Sequence, residues 1–140
     1  MMPDRAEFAT LVEGLMAWVE GGLDNPEWAR KRYVKKMRDA DGVVYEVPFL
    51  TLQKGPVRLS LDPTGYDIPG AEAAVDLYLM PTYDPLATFY SESGEWYVHS
   101  DYLPGPGAES RVETGRSAPL SHGLLNQVME AIAEHAVPSL

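Results

Sequence analysis

His99 and Asp101 stand two positions apart in the run Trp96-Tyr97-Val98-His99-Ser100-Asp101. On a β-strand that spacing puts both side chains on one face, away from Trp96 and Val98. A histidine beside a carboxylate can orient a general base or supply two ligands to a metal. A metal needs a third ligand, and Asp76, on a separate strand predicted over Val75–Met80, offers itself from the same face. The simpler account is a solvated histidine beside a hydrogen-bonding acid at a strand end. We therefore assign no catalytic residue and no metal. His122 and His135 fall near the ends of a C-terminal helix, where His135 favours the negative helix end; neither receives a function.

The local signatures of common enzymes are missing. The chain has no G-x-x-x-x-G-K-[ST], no G-x-G-x-x-G, no H-E-x-x-H and no G-x-S-x-G. It has no cysteine, which removes disulfides, thiolate metal sites and cysteine nucleophiles. No cofactor is implied, and the expectation is a protein that is not an enzyme.

Aromatic residues carry more information. Tyr78, Tyr83, Phe89, Tyr90, Trp96, Tyr97 and Tyr102 place seven of the chain's 14 aromatics within 25 positions. A hairpin with Ser93-Gly94 at its tip sets Phe89 opposite Val98 and Tyr90 opposite Tyr97. Ala87, Phe89, Trp96 and Val98 then face the core. Tyr78, Tyr90, Tyr97 and His99 face the other way, with Asp76, Thr88 and Asp101. Rings with a polar tip on a polar sheet face suit a binding surface. The competing account is a helix packed over that face, with the hydroxyls merely reaching water.

Charge is the second signal. The chain has 11 basic and 21 acidic residues, a net charge of −10. Arg30, Lys31, Arg32, Lys35, Lys36 and Arg38 fall within nine positions free of acids. These are candidates for docking an acidic protein, a second copy of this chain included, and otherwise form a solvated face. The acidic remainder repels phosphates, which disfavours nucleic acid.

These residues need a scaffold. Phe8, Leu11, Val12, Leu15, Met16 and Val19 recur at helical spacing, predicting an amphipathic helix from Asp4 to about Glu20. Asp4 with Glu7 forms a capping-box pattern, and Gly21-Gly22 supplies a stop. Asn25-Pro26-Glu27 looks like a second helix start, so residues 26–40 are read first as a helix with a thin Ala29/Tyr33/Met37 stripe. The alternative is a hairpin, Arg32–Arg38 with Val43–Val47, around Asp39-Ala40-Asp41-Gly42. Gln53-Lys54-Gly55-Pro56 predicts a hairpin with Lys54-Gly55 at the tip, setting Leu52 opposite Val57 and Leu50 opposite Leu59. Pro48 marks an edge or bulge, where apolar parity switches from Tyr45 and Val47 to Leu50 and Leu52. Asp62–Gly70 and Leu103–Ala118 are predicted loops, the latter with a short strand near Arg111–Thr114. Pro119–Ala136 is predicted as a helix capped by Ser117, its buried stripe made by Leu120, Leu124, Leu125, Val128, Ile132 and Ala136.

With 140 residues the chain fits one domain, 1–140, large enough to bury a core. Its first residues lack the basic and apolar pattern of a signal peptide, and no run is long and apolar enough for a membrane span. The expected setting is cytoplasmic, away from membranes. The expected fold is α+β: an antiparallel meander of four to six strands with both terminal helices packed on its Leu50/Leu59/Leu77/Phe89 face. The expected function is a non-enzymatic protein-binding or accessory module, as a homodimer or with another protein. The alternative is a binder of a small molecule or peptide on the tyrosine face, with hydrolytic chemistry around His99 and Asp101.

Overall fold

A computed structural model describes residues 4–66, 71–104 and 116–139. Its elements are α1 (Arg5–Gly22), β1 (Ala29–Arg38), β2 (Val44–Lys54), β3 (Val57–Gly65), β4 (Ala73–Leu79), β5 (Asp84–Glu92), β6 (Glu95–Ser100), β7 (Arg116–Pro119) and α2 (His122–His135). The strands form one antiparallel sheet in sequence order, β1 to β7. Among the described residues the chain is α+β, with seven strands rather than four to six. Among the described residues no helix is long and apolar enough to cross a membrane.

Both helices bury their stripes in one core. Phe8, Val12, Leu15, Met16 and Val19 of α1 and Leu125, Val128, Met129 and Ile132 of α2 join Leu50, Leu59, Leu77 and Phe89 of the sheet. Each such side chain contributes about 1.5–3 kcal/mol by leaving water. Asp4 caps α1 as its pattern predicts, accepting the Glu7 amide at 2.9 Å. Gly21 and Gly22 do not stop the helix; it runs through both, and Leu23 is the extended cap. Gly22 lacks a Cβ where one is needed least: a Cβ there would lie 2.5 Å from the His122 ring.

Residues 26–40 form the hairpin, not the helix. Asn25 accepts the Glu27 amide on its side chain at 2.9 Å, and its carbonyl accepts the Trp28 amide at 3.2 Å, so the residue closes a turn. Trp28 is only 2% exposed, and ten residue pairs then join β1 to β2. A helix would have offered only three apolar residues to the core and left Trp28 outside its stripe. Asp39-Ala40-Asp41-Gly42 makes the loop, with Gly42 at φ +87° and its amide on the Asp39 carbonyl.

Four boundaries also moved. The β2–β3 hairpin turns at Gly55-Pro56, with Gly55 at φ +57°, and pairs Leu52 with Leu59 and Leu50 with Leu61. The predicted register is displaced by two residues, an even step that keeps every side chain on its expected face. Burial does switch across Pro48, from Val47 to Leu50, yet β1–β2 pairing continues through Pro48 without a shift. Pro48 lies outside the β2–β3 ladder, so it needs no second hydrogen-bonding neighbour. Strand β3 continues to Gly65, into the predicted loop. Arg116–Pro119, spanning the end of the second predicted loop and the first residue of the predicted helix, forms β7 against β6, while Arg111–Thr114 lies outside the described residues. Because Ser117 and Pro119 belong to that strand, α2 begins at His122 under a Ser121 cap that accepts the Leu124 amide.

Candidate functional site

With both helices on the apolar face, no element among the described residues packs over the other face except at the start of β2, where Tyr45 meets Phe8 of α1 across 6.4 Å. Alternation places Lys31, Tyr33, Phe49, Ser60, Asp62, Asp76, Tyr78, Thr88, Tyr90, Tyr97 and His99 on or beside it, interleaved with buried Leu59, Leu61, Val75, Leu77, Phe89 and Val98. The β5–β6 hairpin has the predicted register: Phe89 faces Val98 and Tyr90 faces Tyr97. The Tyr90 and Tyr97 rings stack at 5.5 Å with an 18° interplanar angle.

A polar row crosses five strands of this face. Register pairs Asp62 with Asp76, Asp76 with Thr88, Thr88 with His99, and His99 with Ser117. Two carboxylates directly opposite one another repel. The surroundings offset that: Lys35 reaches over from β1 to Asp62 at 2.6 Å, and Asp76 accepts three hydroxyls. These come from Thr88 at 2.7 Å, Tyr78 at 3.0 Å and Thr64 at 3.1 Å. Burial, and then the Asp76 bond, pushes the Tyr78 hydroxyl up to about 12, so it stays a neutral donor. The Tyr97 hydroxyl donates to Glu95 at 3.2 Å, and that acid raises its pKa.

His99 and Asp76 share a face, as expected, but Thr88 stands between them. The His99 ring nitrogen Nδ1 lies 2.9 Å from Ser117 Oγ. No carboxylate among the described residues bonds the imidazole, so the Ser117–His99 pair lacks an orienting acid. Asp101 is an exposed turn residue just past β6, and with Thr88 and His99 it borders a shallow depression of about 180 Å³. Among the described residues no three acids or histidines are grouped to hold a metal. The arrangement orders hydroxyls and rings on a surface; it does not converge them on one reacting atom.

The larger concavity lies elsewhere on the face. A cleft of about 510 Å³ is bordered by Lys31 and Tyr33 of β1, Phe49 of β2, Arg58 of β3, and Met80 and Tyr83 of the β4–β5 turn. Tyr33 and Phe49 stack across the β1–β2 pair at 5.1 Å. Reading 26–40 as a helix hid this end of the face. Strand periodicity over Lys31, Tyr33 and Lys35 was the signal that could have revealed it.

The basic residues do not make one patch. Strand alternation divides them between the two faces. Arg32 pairs with Glu13 and Glu20 of α1, while Lys35 pairs with Asp62 on the open side. Arg30 donates to the Glu20 and Leu23 carbonyls, and Arg38 to that of Gly42. Lys31 sits 5.1 Å over the Tyr33 ring. Lys36 is exposed and has no hydrogen-bond or ion-pair partner among the described residues.

The fold and this face define a helix-backed antiparallel meander with one uncovered, tyrosine-bearing surface. No protein-family model, no curated protein and no solved structure matches the chain.

Proposed function

We propose that this chain is a non-enzymatic protein-binding module whose contact surface is the helix-free face of the sheet. One observation carries the reading: half-buried tyrosines and a hydrogen-bonded polar row lie on the part of that face that no described element packs over. Tyrosine supplies large contact area with few rotatable bonds, and its hydroxyl accommodates a polar rim. Asp76 and His99 are engaged by neighbouring hydroxyls, which suits a fixed surface better than a proton-transfer site. The partner is a different protein; a second copy is the other candidate.

A second reading has its own support. The 510 Å³ cleft falls within the size range of small-molecule sites, and its lining combines Tyr33, Phe49 and Met80 with the cations Lys31 and Arg58. That composition suits an anionic aromatic compound or a peptide side chain.

The test is recovery of partners from native lysate with the wild-type chain and with Tyr90→Ser/Tyr97→Ser of matched folding. We expect a specific protein to be retained by the wild type and lost by the variant. A partner retained equally by both overturns the assignment to this face. Retention of a low-molecular-weight compound in place of a protein favours the cleft.

A further inference from the structure

The two edges of the sheet differ in a way that selects an occupant. Among the described residues, strand β7 closes one side with four residues, whereas β1 closes the other with ten and pairs with β2 alone. A long edge presents unpaired backbone N–H and C=O groups to any strand that approaches, and proteins guard such edges with short strands or charge. Strand β1 is guarded by charge of one sign. It carries Arg30, Lys31, Arg32, Lys35, Lys36 and Arg38 without an acid, and at its centre Tyr33 and Val34 are 40% and 65% exposed.

That charge forbids one partner and admits another. Pairing β1 with β1 of a second copy would set six cations against six along a shared ladder. An acidic strand meets the opposite situation. Arg32 and Lys35 already have carboxylates, but Arg30 and Arg38 hold only carbonyls, Lys31 lies over a ring, and Lys36 has no partner among the described residues. Four cations along one strand thus lack a counter-charge from the described residues.

We propose that the outer edge of β1 takes up an extended acidic segment of a partner protein as an eighth strand. Main-chain hydrogen bonds supply the affinity of such an addition and alternate side chains its specificity. Carboxylates of the segment pair with Lys31 and Lys36, and its apolar residues cover Tyr33 and Val34. The cleft bordered by Lys31, Tyr33 and Phe49 receives a larger side chain from the segment's open-face positions. The proposal rests on the protein-binding reading and adds a contact on the sheet edge to the one on its face.

The test uses a synthetic ten-residue peptide with glutamate at its third and eighth positions, valine at its fifth and sixth and threonine elsewhere, so that each face of the added strand carries one acid and one apolar residue, and the same peptide with lysine for glutamate. Amide hydrogen exchange of the full chain is followed with each. We expect the glutamate peptide to slow exchange along β1, binding to weaken as salt rises, and the lysine peptide to give neither effect. Lys31→Glu/Lys36→Glu should weaken the glutamate peptide at least about tenfold and admit the lysine peptide. Lys36→Glu alone should act in the same direction if the double variant folds poorly. Binding without protection of β1 amides, or equal binding of both peptides, overturns the proposal. Protection of β1 that grows with protein concentration in the absence of peptide also overturns it, in favour of a second copy. The peptide experiment reads the edge alone and the lysate recovery with Tyr90→Ser/Tyr97→Ser reads the face alone, so the two readings fail separately.

Discussion

Trp28 donates its indole N–H to Glu130 across 3.0 Å, joining the entry of β1 to the middle of α2 over 102 positions of sequence. The same carboxylate accepts from Lys54 at 2.8 Å and Asn25 at 3.3 Å, so one acid holds a turn, a hairpin end and a helix together. Lys54, and then the other donors, hold its pKa below the ordinary glutamate value. A lowered folded-state pKa stabilises the fold above the unfolded pKa, and that contribution is lost as pH falls through the folded value. Glu130→Ala leaves a buried indole N–H unpaired and should cost about 1–3 kcal/mol in denaturant melts near neutral pH. Glu130→Gln should cost less and flatten the loss of stability as pH drops below about 5. An acid limb as steep in Glu130→Gln as in the wild type would contradict this assignment.

The Gly22–His122 approach gives a prediction whose sign depends on a second residue. Alanine favours a helix over glycine by up to about 1 kcal/mol. At position 22, the last helical residue, that gain is smaller, and the new Cβ would lie 2.5 Å from the ring of exposed His122, forcing it off its 4.2 Å stack on Trp18 at a cost of about 0.5–1.5 kcal/mol. Gly22→Ala should therefore destabilise the wild type. In a His122→Ala background the same change should be neutral or stabilising. A double-mutant cycle by chemical denaturation measures the reversal, and additivity of the two changes would refute the close contact.

At the β5–β6 hairpin the turn and the apolar alternation made the sequence legible to the individual pair, whereas at β2–β3 the same two signals gave the right faces and a register displaced by two residues. Phe89/Val98 and Tyr90/Tyr97 stand as predicted, and the Asp4 cap and the α1 stripe do too. Residues 26–40 were not legible because their competing signals were local and the deciding one was distant. Asn25-Pro26-Glu27 satisfies the rules of a helix start. The burial of Trp28 against an acid on α2 becomes visible only after the chain has folded. Strand β7 was obscure for a related reason: four residues, two of them Ser and Pro, carry almost no period of their own, and their partner β6 supplies the order. The candidate face was half visible. Its β4–β6 end followed from alternation, while its β1–β2 end, with the cleft, required the hairpin that the helix reading displaced.

The stacked Tyr90 and Tyr97 should matter more to recognition than to stability. Their rings are partly exposed, and an aromatic pair of this kind contributes about 0.5–1.5 kcal/mol beyond its buried area. Tyr97→Ala should lower stability by about 1 kcal/mol, with a measurable coupling to Tyr90→Ala, and leave the circular dichroism spectrum unchanged. Light scattering should report the same oligomeric state for Tyr97→Ala and the wild type. A wild-type dimer that this substitution dissociates would make a second copy the occupant of the face.

Two tyrosine hydroxyls are pushed up to about 12 for different reasons, and removing their acids should separate them. The Tyr66 hydroxyl donates to Asp39 at 2.6 Å, an acid also held by Arg5 at 2.7 Å, and this hydrogen bond is the largest cause of its upward shift. For Tyr78, burial comes first and the Asp76 hydrogen bond second. Asp39→Ala should therefore return Tyr66 most of the way to the ordinary tyrosine value. Asp76→Ala should return Tyr78 only in part, because the ring remains half-buried against its neighbours on the sheet. The lost carboxylate also frees the hydroxyls of Thr64, Tyr78 and Thr88 together, loosening the centre of the polar row. Carbon NMR of the tyrosine ring carbon that bears the hydroxyl, followed through an alkaline titration, resolves each residue. A Tyr78 that falls further than Tyr66 would mean that the open face is wetter than its burial implies, and that its hydroxyl row is held by charge alone.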